Sequence, residues 1–295
     1  MAWFASPADV DARLRDQGYL PDPATSITAF LAGELEKPML IEGPAGVGKT
    51  QLAKAVAAAA GAELVRLQCY EGLDEARALY EWNYRKQLLR IQSSGTDRPW
   101  SDTHDDIFTD EFLLTRPLLT AIRRPGATVL LIDEVDKTDV EVEGLLLEVL
   151  SDFQVTIPEL GTLAAVRRPF VVLTSNATRE LSEAVKRRCL YLHIDYPDAQ
   201  REREILLSHL PGLEAGLAGQ VVEVIAELRD MELKKAPSIA ETIDWARTLV
   251  ALQIETLDLA AVTETLGAVL KHASDQTKAL QELRRLRGRL PGWAG

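Results

Sequence analysis

The chain is poor in cysteine and in positive charge. Only two of its 295 residues are cysteines, Cys69 and Cys189, and each lies beside an apolar segment. This usage indicates small buried side chains in a reducing compartment. Lysine and arginine together number 33 against 45 aspartates and glutamates, which gives a formal net charge of −12. Sequence-independent binding to nucleic-acid phosphates is therefore disfavoured.

Long hydrophobic runs are also missing. No stretch approaches the roughly 20 apolar residues that a membrane-spanning helix needs. Residues 1–4 are followed by proline, aspartate and arginine instead of the core of a signal peptide. We therefore expect a cytoplasmic protein. Hydrophobic residues still make up 46% of the chain, which is enough to bury the core of one α/β domain and of a smaller second domain.

Five apolar runs alternate with helical segments, which predicts an α/β fold with a five-stranded parallel sheet flanked by helices. The runs lie at 38–42, 63–68, 128–132, 170–174 and 190–194. After Pro197 the pattern is helical, with segments at 200–209, 219–231, 239–252, 259–273 and 276–287. We expect an α/β nucleotide-binding domain over residues 1–198 and a small all-helical lid domain over residues 199–295.

A glycine-rich octapeptide follows the first apolar run and precedes an alanine-rich segment, which is the strand, loop and helix setting of a P-loop. Its glycines allow backbone N–H groups to point at phosphate oxygens, and the dipole of the following helix favours the same anion. Lys49 is expected to reach the β- and γ-phosphates of ATP, and the Thr50 hydroxyl to ligate Mg²⁺. The residues expected to bind the nucleotide are Gly43, Pro44, Ala45, Gly46, Val47, Gly48, Lys49, Thr50 and Gln51.

The apolar run at 128–132 ends in two carboxylates, Asp133 and Glu134. Ligands of open α/β sheets bind at the carboxyl ends of the strands. Asp133 is therefore expected to hold Mg²⁺ through water, and Glu134 to polarise the water that attacks the γ-phosphate. This pattern favours hydrolysis over transfer to a substrate hydroxyl. The alternative is that both acids begin a helix, where they would suit its dipole.

The apolar run at 170–174 also ends in polar residues, Ser175 and Asn176. An amide at this place can hold the attacking water between the γ-phosphate and Glu134. Asn176 is therefore predicted to be a polar sensor of the nucleotide. The alternative is an ordinary turn in which Asn176 caps a following helix.

Two arginines, Arg187 and Arg188, precede the last apolar run. The order of P-loop, Asp-Glu strand, polar-tipped strand, arginine-ended helix and helical tail resembles that of the AAA+ ATPases. In that superfamily an arginine at this place reaches the nucleotide of the neighbouring subunit and stabilises transition-state charge. The resemblance implies this role for Arg188 first and for Arg187 second. The alternative is a helix end that carries cations to suit the dipole.

Within the AAA+ superfamily the chain is similar to the MoxR family, and more narrowly to its CoxD-like branch, over about residues 25–250. The similarity rests on segments at 67–74, 78–89, 148–159 and 187–197. It implies a hexameric ring that remodels another protein, often with a partner that carries a von Willebrand factor A domain. For this branch the implied client is an immature metalloenzyme subunit, such as a molybdenum hydroxylase of the CO dehydrogenase type.

Two inserted elements fit protein remodelling. Over residues 153–166, apolar and polar residues alternate and are followed by turn residues. This pattern predicts a β-hairpin that protrudes from the sheet. Apolar residues among charges over 74–92 predict one helix with a broad apolar stripe. In the family both elements face the ring pore. The alternative is that both are peripheral packing elements.

The predicted lid departs from the family pattern. AAA+ lids commonly place a second sensor arginine at the start of the third lid helix, and the matching segment here contains none. Lys234 or Lys235 could substitute, and Arg247 is a weaker candidate. In AAA+ folds the linker at Tyr19 and Leu20 lines the adenine pocket, and simple core packing is the alternative.

Three other features of the sequence are expected to have structural roles instead of functional ones. The polar segment 101–106 lacks a second histidine and is expected to be a solvated loop. His193 lies inside a strand and is expected to be a core residue. The arginine run at 284–289 is expected to be a solvated helix end, with a docking tail as the alternative.

These observations predict a Mg²⁺-dependent ATPase that remodels a client protein during metallocentre assembly. The P-loop, the Asp-Glu pair and Asn176 act within one subunit, and Arg188 acts on the next. Three alternatives stay open. The first is an AAA+ assembly factor for another structure, such as gas vesicles, and the second is a nucleic-acid-directed AAA+ motor. The third is a nucleotide-gated scaffold that does not cycle, which would be supported if Glu134→Gln left function intact.

Overall fold

The structure is a computed structural model that describes residues 2–93, 104 and 106–285. The chain divides into two compact units. The first comprises residues 1–43 and 49–193, and the second comprises residues 44–48 and 194–295. Most of the polar segment 101–106 and the arginines at 287 and 289 lie outside the described residues. Within the described part of the chain, no helix combines the length and the apolar character that crossing a bilayer requires.

A five-stranded parallel sheet organises the first unit, which confirms the predicted fold class. In spatial order its strands are β2 (Glu63–Gln68), β5 (Thr128–Asp133), β8 (Phe170–Ser175), β1 (Met39–Glu42) and β9 (Leu190–His193). Every residue of β5 and β8 is buried, as expected for parallel strands covered on both faces. Because the strands run in one direction, the polar residues that follow β5 and β8 reach the same edge of the sheet.

The described helices of the first unit precede its first strand or connect its later strands. They are α1 (Pro7–Asp16), α2 (Pro23–Glu34), α3 (Lys49–Ala59), α4 (Glu75–Ala78), α5 (Tyr84–Ser93), α6 (Pro117–Arg123), α7 (Val140–Asp152) and α8 (Glu183–Lys186). The side chains of Ser6 and Asp22 cap α1 and α2, and a proline occupies the first turn of each helix. Both starts follow the local rules for helix N-termini.

The insert over residues 74–92 is not the single helix that its periodicity predicts, so that prediction was wrong. A three-residue strand, β3 (Tyr80–Trp82), separates α4 from α5 and pairs antiparallel with β4 (Leu113–Thr115). Trp82 is 5% exposed and packs its ring edge-on against Phe108. The reason is tertiary, because aromatic residues favour strands only where a partner strand is present. That partner lies about thirty residues further along the chain.

The segment 153–166 contains an antiparallel hairpin of β6 (Gln154–Ile157) and β7 (Gly161–Ala164). Gly161 has a φ of 77°, which suits glycine at the turn. Val155 and Ile157 are buried in the core of the first unit, whereas Thr156 between them is exposed. One face of the hairpin is therefore anchored in the core and the other is open to solvent.

The second unit is helical after residue 194. Its helices are α9 (Ala199–His209), α10 (Ala215–Asp230), α11 (Ile239–Ala251), α12 (Leu259–Thr265) and α13 (Ala273–Arg285). Its core contains Trp245, which is fully buried and donates from Nε1 to the Thr265 hydroxyl at 2.8 Å. Arg229 donates to the two oxygens of the buried Glu202 carboxylate at 2.6 and 2.8 Å. This ion pair connects α9 to α10 within the second unit.

Candidate nucleotide-binding and catalytic site

The glycine-rich loop lies between β1 and α3. Gly43, Gly46 and Gly48 have φ angles of 153°, 80° and 98°. Residues with a Cβ rarely adopt such angles. Helix α3 begins at Lys49, so the positive end of its dipole lies where the loop ends. Backbone of this kind can follow the surface of a phosphate group closely.

Lys49 lies at the centre of the site. Its side chain is buried, and Nζ donates to the Gly43 carbonyl oxygen at 2.7 Å and to Asn176 Oδ1 at 2.8 Å. Burial lowers the pKa of Lys49, and the charges of Asp136, Asp133 and Glu134 oppose that shift. A partly desolvated ammonium group gains more from an anionic ligand than an exposed one does. Lys49 is therefore suited to hold a phosphate.

Asp133 ends β5 and is 1% exposed. Its Oδ1 accepts hydrogen bonds from the Thr50 hydroxyl at 2.9 Å and from the Thr174 hydroxyl at 2.6 Å. Its Oδ2 accepts from Arg66 Nε at 3.0 Å and Nη2 at 2.5 Å. The predicted metal ligands Thr50 and Asp133 are therefore in direct contact.

Glu134 follows with a left-handed backbone, at φ 58° and ψ 48°, before a 3₁₀ turn over residues 135–137. Its Oε2 accepts from Gln68 Nε2 at 2.9 Å and from Lys137 Nζ at 2.7 Å. Its Oε1 is 3.4 Å from Asn176 Nδ2. The carboxylate is thus turned towards the predicted sensor.

Asn176 follows β8, and the next helix in the described chain, α8, begins seven residues later at Glu183. Its amide oxygen accepts from Lys49 and its amide nitrogen faces Glu134. The structure therefore joins Lys49, Asn176 and Glu134 in one hydrogen-bonded chain. A water molecule activated by Glu134 and a phosphate held by Lys49 would meet at Asn176.

Comparison with known proteins identifies the family. The profile of the AAA domain, dynein-related subfamily, matches residues 38–189. The chain belongs to this family. That span contains every residue of the hydrogen-bonded chain described above, and the protein is therefore an ATPase that binds a nucleotide.

The AAA ATPase has relatives with several names. It is 24% identical to "Protein CbbQ" of Hydrogenophilus thermoluteolus over 220 residues, which cover 74% of this chain and 76% of that protein. It is 30% identical to "Chaperone protein ClpB 2" of Thermosynechococcus vestitus over 169 residues, which cover 56% of this chain and 16% of that much longer protein. A solved structure of a RuvB mutant from Thermotoga maritima aligns at 16% identity with a TM-score of 0.47, over 95% of this chain and 73% of that one.

The donor set of the AAA ATPase fits Mg²⁺. Thr50 and Asp133 offer hard oxygen donors 2.9 Å apart, and Thr50 directly follows Lys49. Among the described residues there is no cluster of three or more His, Cys, Asp or Glu side chains that could hold a metal by itself. Mg²⁺ commonly uses one or two protein oxygens together with water and substrate phosphates, so this small set is of the expected kind.

Several residues that contact the site were missed from the sequence, among them Lys137, which donates to Glu134. Arg66 and Gln68 project from β2 onto Asp133 and Glu134, and the Thr174 hydroxyl contacts Asp133. One signal was available, because Arg66 and Gln68 are polar residues two apart in an apolar strand and must share a face. Their target depends on the pairing of β2 with β5, which local sequence does not specify.

The two candidate arginine fingers lie after α8. The Arg187 side chain is 80% exposed, and its Nε is 3.9 Å from a Glu183 oxygen. The Arg188 guanidinium donates to the Ala184 carbonyl oxygen at 2.9 Å and to the Ser151 hydroxyl. Both side chains are at the surface of the first unit.

Two of the lid candidates, Lys235 and Arg247, form ion pairs with acidic residues that are near in sequence. Lys235 Nζ is 2.7 Å from a Glu241 oxygen, and Arg247 is 3.2 Å from Asp244. The backbone N–H of Lys234 donates to Asp275. Among the described residues, none of these contacts identifies a second sensor.

The structure shows the surroundings of the two cysteines and of His193. Burial raises the pKa of the thiols of Cys69 and Cys189 to about 12, so both stay protonated at neutral pH. The prediction that His193 is a core residue was wrong. It ends the edge strand β9 and is exposed, because an edge strand is covered less completely than a central one.

Proposed function

We propose that this AAA ATPase hydrolyses ATP with Mg²⁺ at the interfaces of a homo-oligomeric ring and uses the energy to remodel a client protein. The observation that carries the proposal is the hydrogen-bonded chain from Lys49 through Asn176 to Glu134, beside the contact of Thr50 with Asp133. It supports the proposal because it brings a buried ammonium group, an amide and a carboxylate into mutual contact, as the proposed roles of phosphate binding, sensing and general-base catalysis require.

Each side chain has a separate task in this proposal. The Lys49 ammonium binds the β- and γ-phosphates, while Thr50 and Asp133 hold the metal. When bound there, Mg²⁺ would neutralise charge on the phosphate oxygens. Glu134 accepts a proton from the attacking water, Asn176 orients that water, and the products are ADP and inorganic phosphate.

Arg188 is proposed to complete the site of the neighbouring subunit, with Arg187 as the second candidate. Its position at the surface of the first unit supports this role, because a finger that acts in trans must be reachable from outside. The hydrogen bonds of Arg188 to Ala184 and Ser151 would hold its side chain in place in the isolated subunit. Such fingers typically raise the rate by about 10³- to 10⁵-fold.

The client is proposed to be an immature metalloenzyme of the CO dehydrogenase type, as the sequence similarity to the CoxD-like branch of the MoxR family implies. A hexameric ring and a partner with a von Willebrand factor A domain belong to the same proposal. Two features support work on a protein. The hairpin of β6 and β7 has one solvent-exposed face, and one relative is named a chaperone. The division into an α/β domain over 1–198 and a helical lid over 199–295 is part of this proposal.

The proposal is tested with a Glu134→Gln variant, which should bind ATP without hydrolysing it and so remain on its client. Affinity-tagged Glu134→Gln protein is incubated with host extract plus ATP and Mg²⁺, and bound material is identified by mass spectrometry. The matched control is Glu141→Gln, which makes the same change at an exposed glutamate of α7. We expect a metalloenzyme subunit on Glu134→Gln with ATP, and its absence with ADP and on Glu141→Gln.

Recovery of nucleic acid alone would contradict the proposal and favour the nucleic-acid-directed motor. The same conclusion would follow if DNA, and no protein fraction, stimulated hydrolysis by the unmodified chain. A structural protein of an unrelated assembly in place of a metalloenzyme would retain the remodelling activity and remove the proposed client.

A further inference from the structure

A buried carboxylate close to the site has no task in the chemistry proposed above. Asp136 lies three residues after Asp133, in the 3₁₀ turn that follows β5, and is 3% exposed. A buried carboxylate is costly unless hydrogen bonds or an opposite charge compensate it. The partners of Asp136 are therefore informative.

Within the part of the chain that the structure describes, the side-chain oxygens of Asp136 accept hydrogen bonds from one turn, the one that carries Asn176. Asp136 Oδ1 accepts from the backbone N–H of Asn176 at 3.1 Å. Its Oδ2 accepts from the backbone N–H of Thr178 at 3.1 Å and from the Thr178 hydroxyl at 2.6 Å. The turn of residues 176–178 thus closes around the carboxylate.

The backbone of that turn is in an unusual conformation. Ala177 has a φ of 55°, a left-handed conformation that is unfavourable for a residue with a Cβ. The backbone N–H groups of Asn176 and Thr178 converge on one anion, whereas the Ala177 N–H between them donates to Ser175 Oγ at 2.9 Å. Here the anion is the side chain of Asp136. The carboxylate therefore stabilises a turn that would otherwise relax.

We propose that Asp136 is a positioning residue for hydrolysis, which holds Asn176 in place by binding the turn that carries it. The inference rests on the proposed function, because it matters for catalysis only if Asn176 orients the attacking water. Asp136 and Glu134 belong to the same short segment after β5. The carboxylate thereby fixes the distance between the proposed base and the proposed sensor, which follow different strands.

The ionisation of Asp136 agrees with this role. Burial alone would raise the pKa of Asp136, but the hydrogen bonds from Thr178 and Asn176 outweigh burial and lower it. The group is therefore a charged acceptor at neutral pH, and charged acceptors form the stronger hydrogen bonds.

The direct test is Asp136→Asn, which keeps the shape of the side chain. An amide offers one acceptor oxygen and places an NH₂ group against the remaining donors of the turn. We expect kcat for ATP hydrolysis to fall by about 10²-fold, the loss typical of a catalytic group displaced by about 1 Å. Binding of a fluorescent ATP analogue should change by less than about threefold, since Lys49 and the P-loop are untouched.

A double-mutant cycle separates positioning from a general loss of structure. If Asp136 acts through Asn176, then Asp136→Asn should lower kcat only slightly further, by less than about threefold, in a protein that already carries Asn176→Ala. Multiplying losses in the double variant would overturn the inference. A weakening of nucleotide binding that accounts for the loss of activity would also overturn it, because Asp136 would then act through Lys49.

Two sets of controls complete the experiment. Asp139→Asn removes the same charge at an exposed residue whose side chain makes no cap hydrogen bond, and it should leave kcat unchanged. If Asp136→Asn does not fold, the comparison of Thr178→Val with Thr178→Ser replaces it. The valine variant lacks the 2.6 Å hydrogen bond and should lose about fivefold in kcat, whereas serine should retain activity. Equal activity of these two variants would contradict the inference.

The two proposals fail in different ways. If Asn176→Ala leaves kcat unchanged, the role of Asn176 in the proposed function is wrong, and the inference falls with it. If Asn176→Ala lowers kcat and Asp136→Asn does not, the proposed function stands and the inference alone is wrong.

Discussion

Both oxygens of the Asp133 carboxylate are fully engaged by protein donors. Thr50 and Thr174 bind Oδ1, and the Arg66 guanidinium binds Oδ2 with two hydrogen bonds. A carboxylate that assists a metal must offer a lone pair to the metal or to a water bound to it. Arg66 is 45% exposed, so it can leave without unfolding its surroundings. If Asp133 assists Mg²⁺ as proposed, Arg66 would compete with the metal for this carboxylate.

The prediction at this residue is that Arg66→Gln lowers the Mg²⁺ concentration at which binding of a fluorescent ATP analogue is half-maximal. We expect a decrease of about threefold, since solvent screens a half-exposed guanidinium and limits its effect. The control is Arg124→Gln, which removes an arginine that pairs with Glu63 at the opposite end of β2. An increase in the Mg²⁺ requirement of Arg66→Gln, with the control unchanged, would show that Arg66 assists metal binding instead.

Single residues show how far the sequence predicts the site. Asp133 and Asn176 could be located because each lies at or just after the end of a strand, and strand ends follow from runs of apolar residues. Lys49 could be located because it belongs to the P-loop motif and begins α3. The partners Arg66 and Asp136 could not be assigned, because their contacts reach across strands or turns that are distant in sequence. Hydrogen-bond partners of this kind depend on strand order and register, which are properties of the folded sheet.

At the scale of elements, long apolar runs were predicted more reliably than mixed segments. The five strands of the main sheet lie where their apolar runs predict them. The segment 74–92 is rich in charges and aromatic residues, and its helical periodicity concealed β3. A short strand of this kind is specified by its pairing with residues 113–115 more than by its own composition.

Packing of α9 against α10 leads to a prediction about stability. Arg229 and Glu202 are 13% and 2% exposed, so removing one partner leaves an uncompensated buried charge. Arg229→Ala should lower the free energy of unfolding by about 3–5 kcal/mol. Urea denaturation followed by circular dichroism and tryptophan fluorescence measures this change.

Arg247→Ala is the matched control for that measurement. Arg247 pairs with Asp244 on the surface of α11, and their side chains are 57% and 64% exposed. The expected change is at most about 0.5 kcal/mol, as for other exposed helical pairs. Equal effects of the two substitutions would show that the pair of Arg229 with Glu202 does not stabilise the helical unit.

At the scale of the whole molecule, the proposed mechanism needs more than one copy of the chain. The side chains to which the proposal assigns phosphate binding, metal binding, general-base catalysis and sensing all lie within the first unit. The proposed arginine finger comes from a neighbouring copy. Substitutions at Glu134 and at Arg188 would then damage opposite sides of one interface, although both lie in the same chain.

Mixing two inactive variants tests this claim most directly. In a mixed ring, an Arg188→Ala subunit retains Glu134, and a Glu134→Gln neighbour supplies the missing arginine. We predict that each variant alone hydrolyses ATP at least about 10²-fold more slowly than the unmodified protein, and that an equimolar mixture recovers a measurable part of the turnover. If both variants assemble into mixed rings and the mixture remains inactive, Arg188 is not the finger and the proposed shared site is wrong.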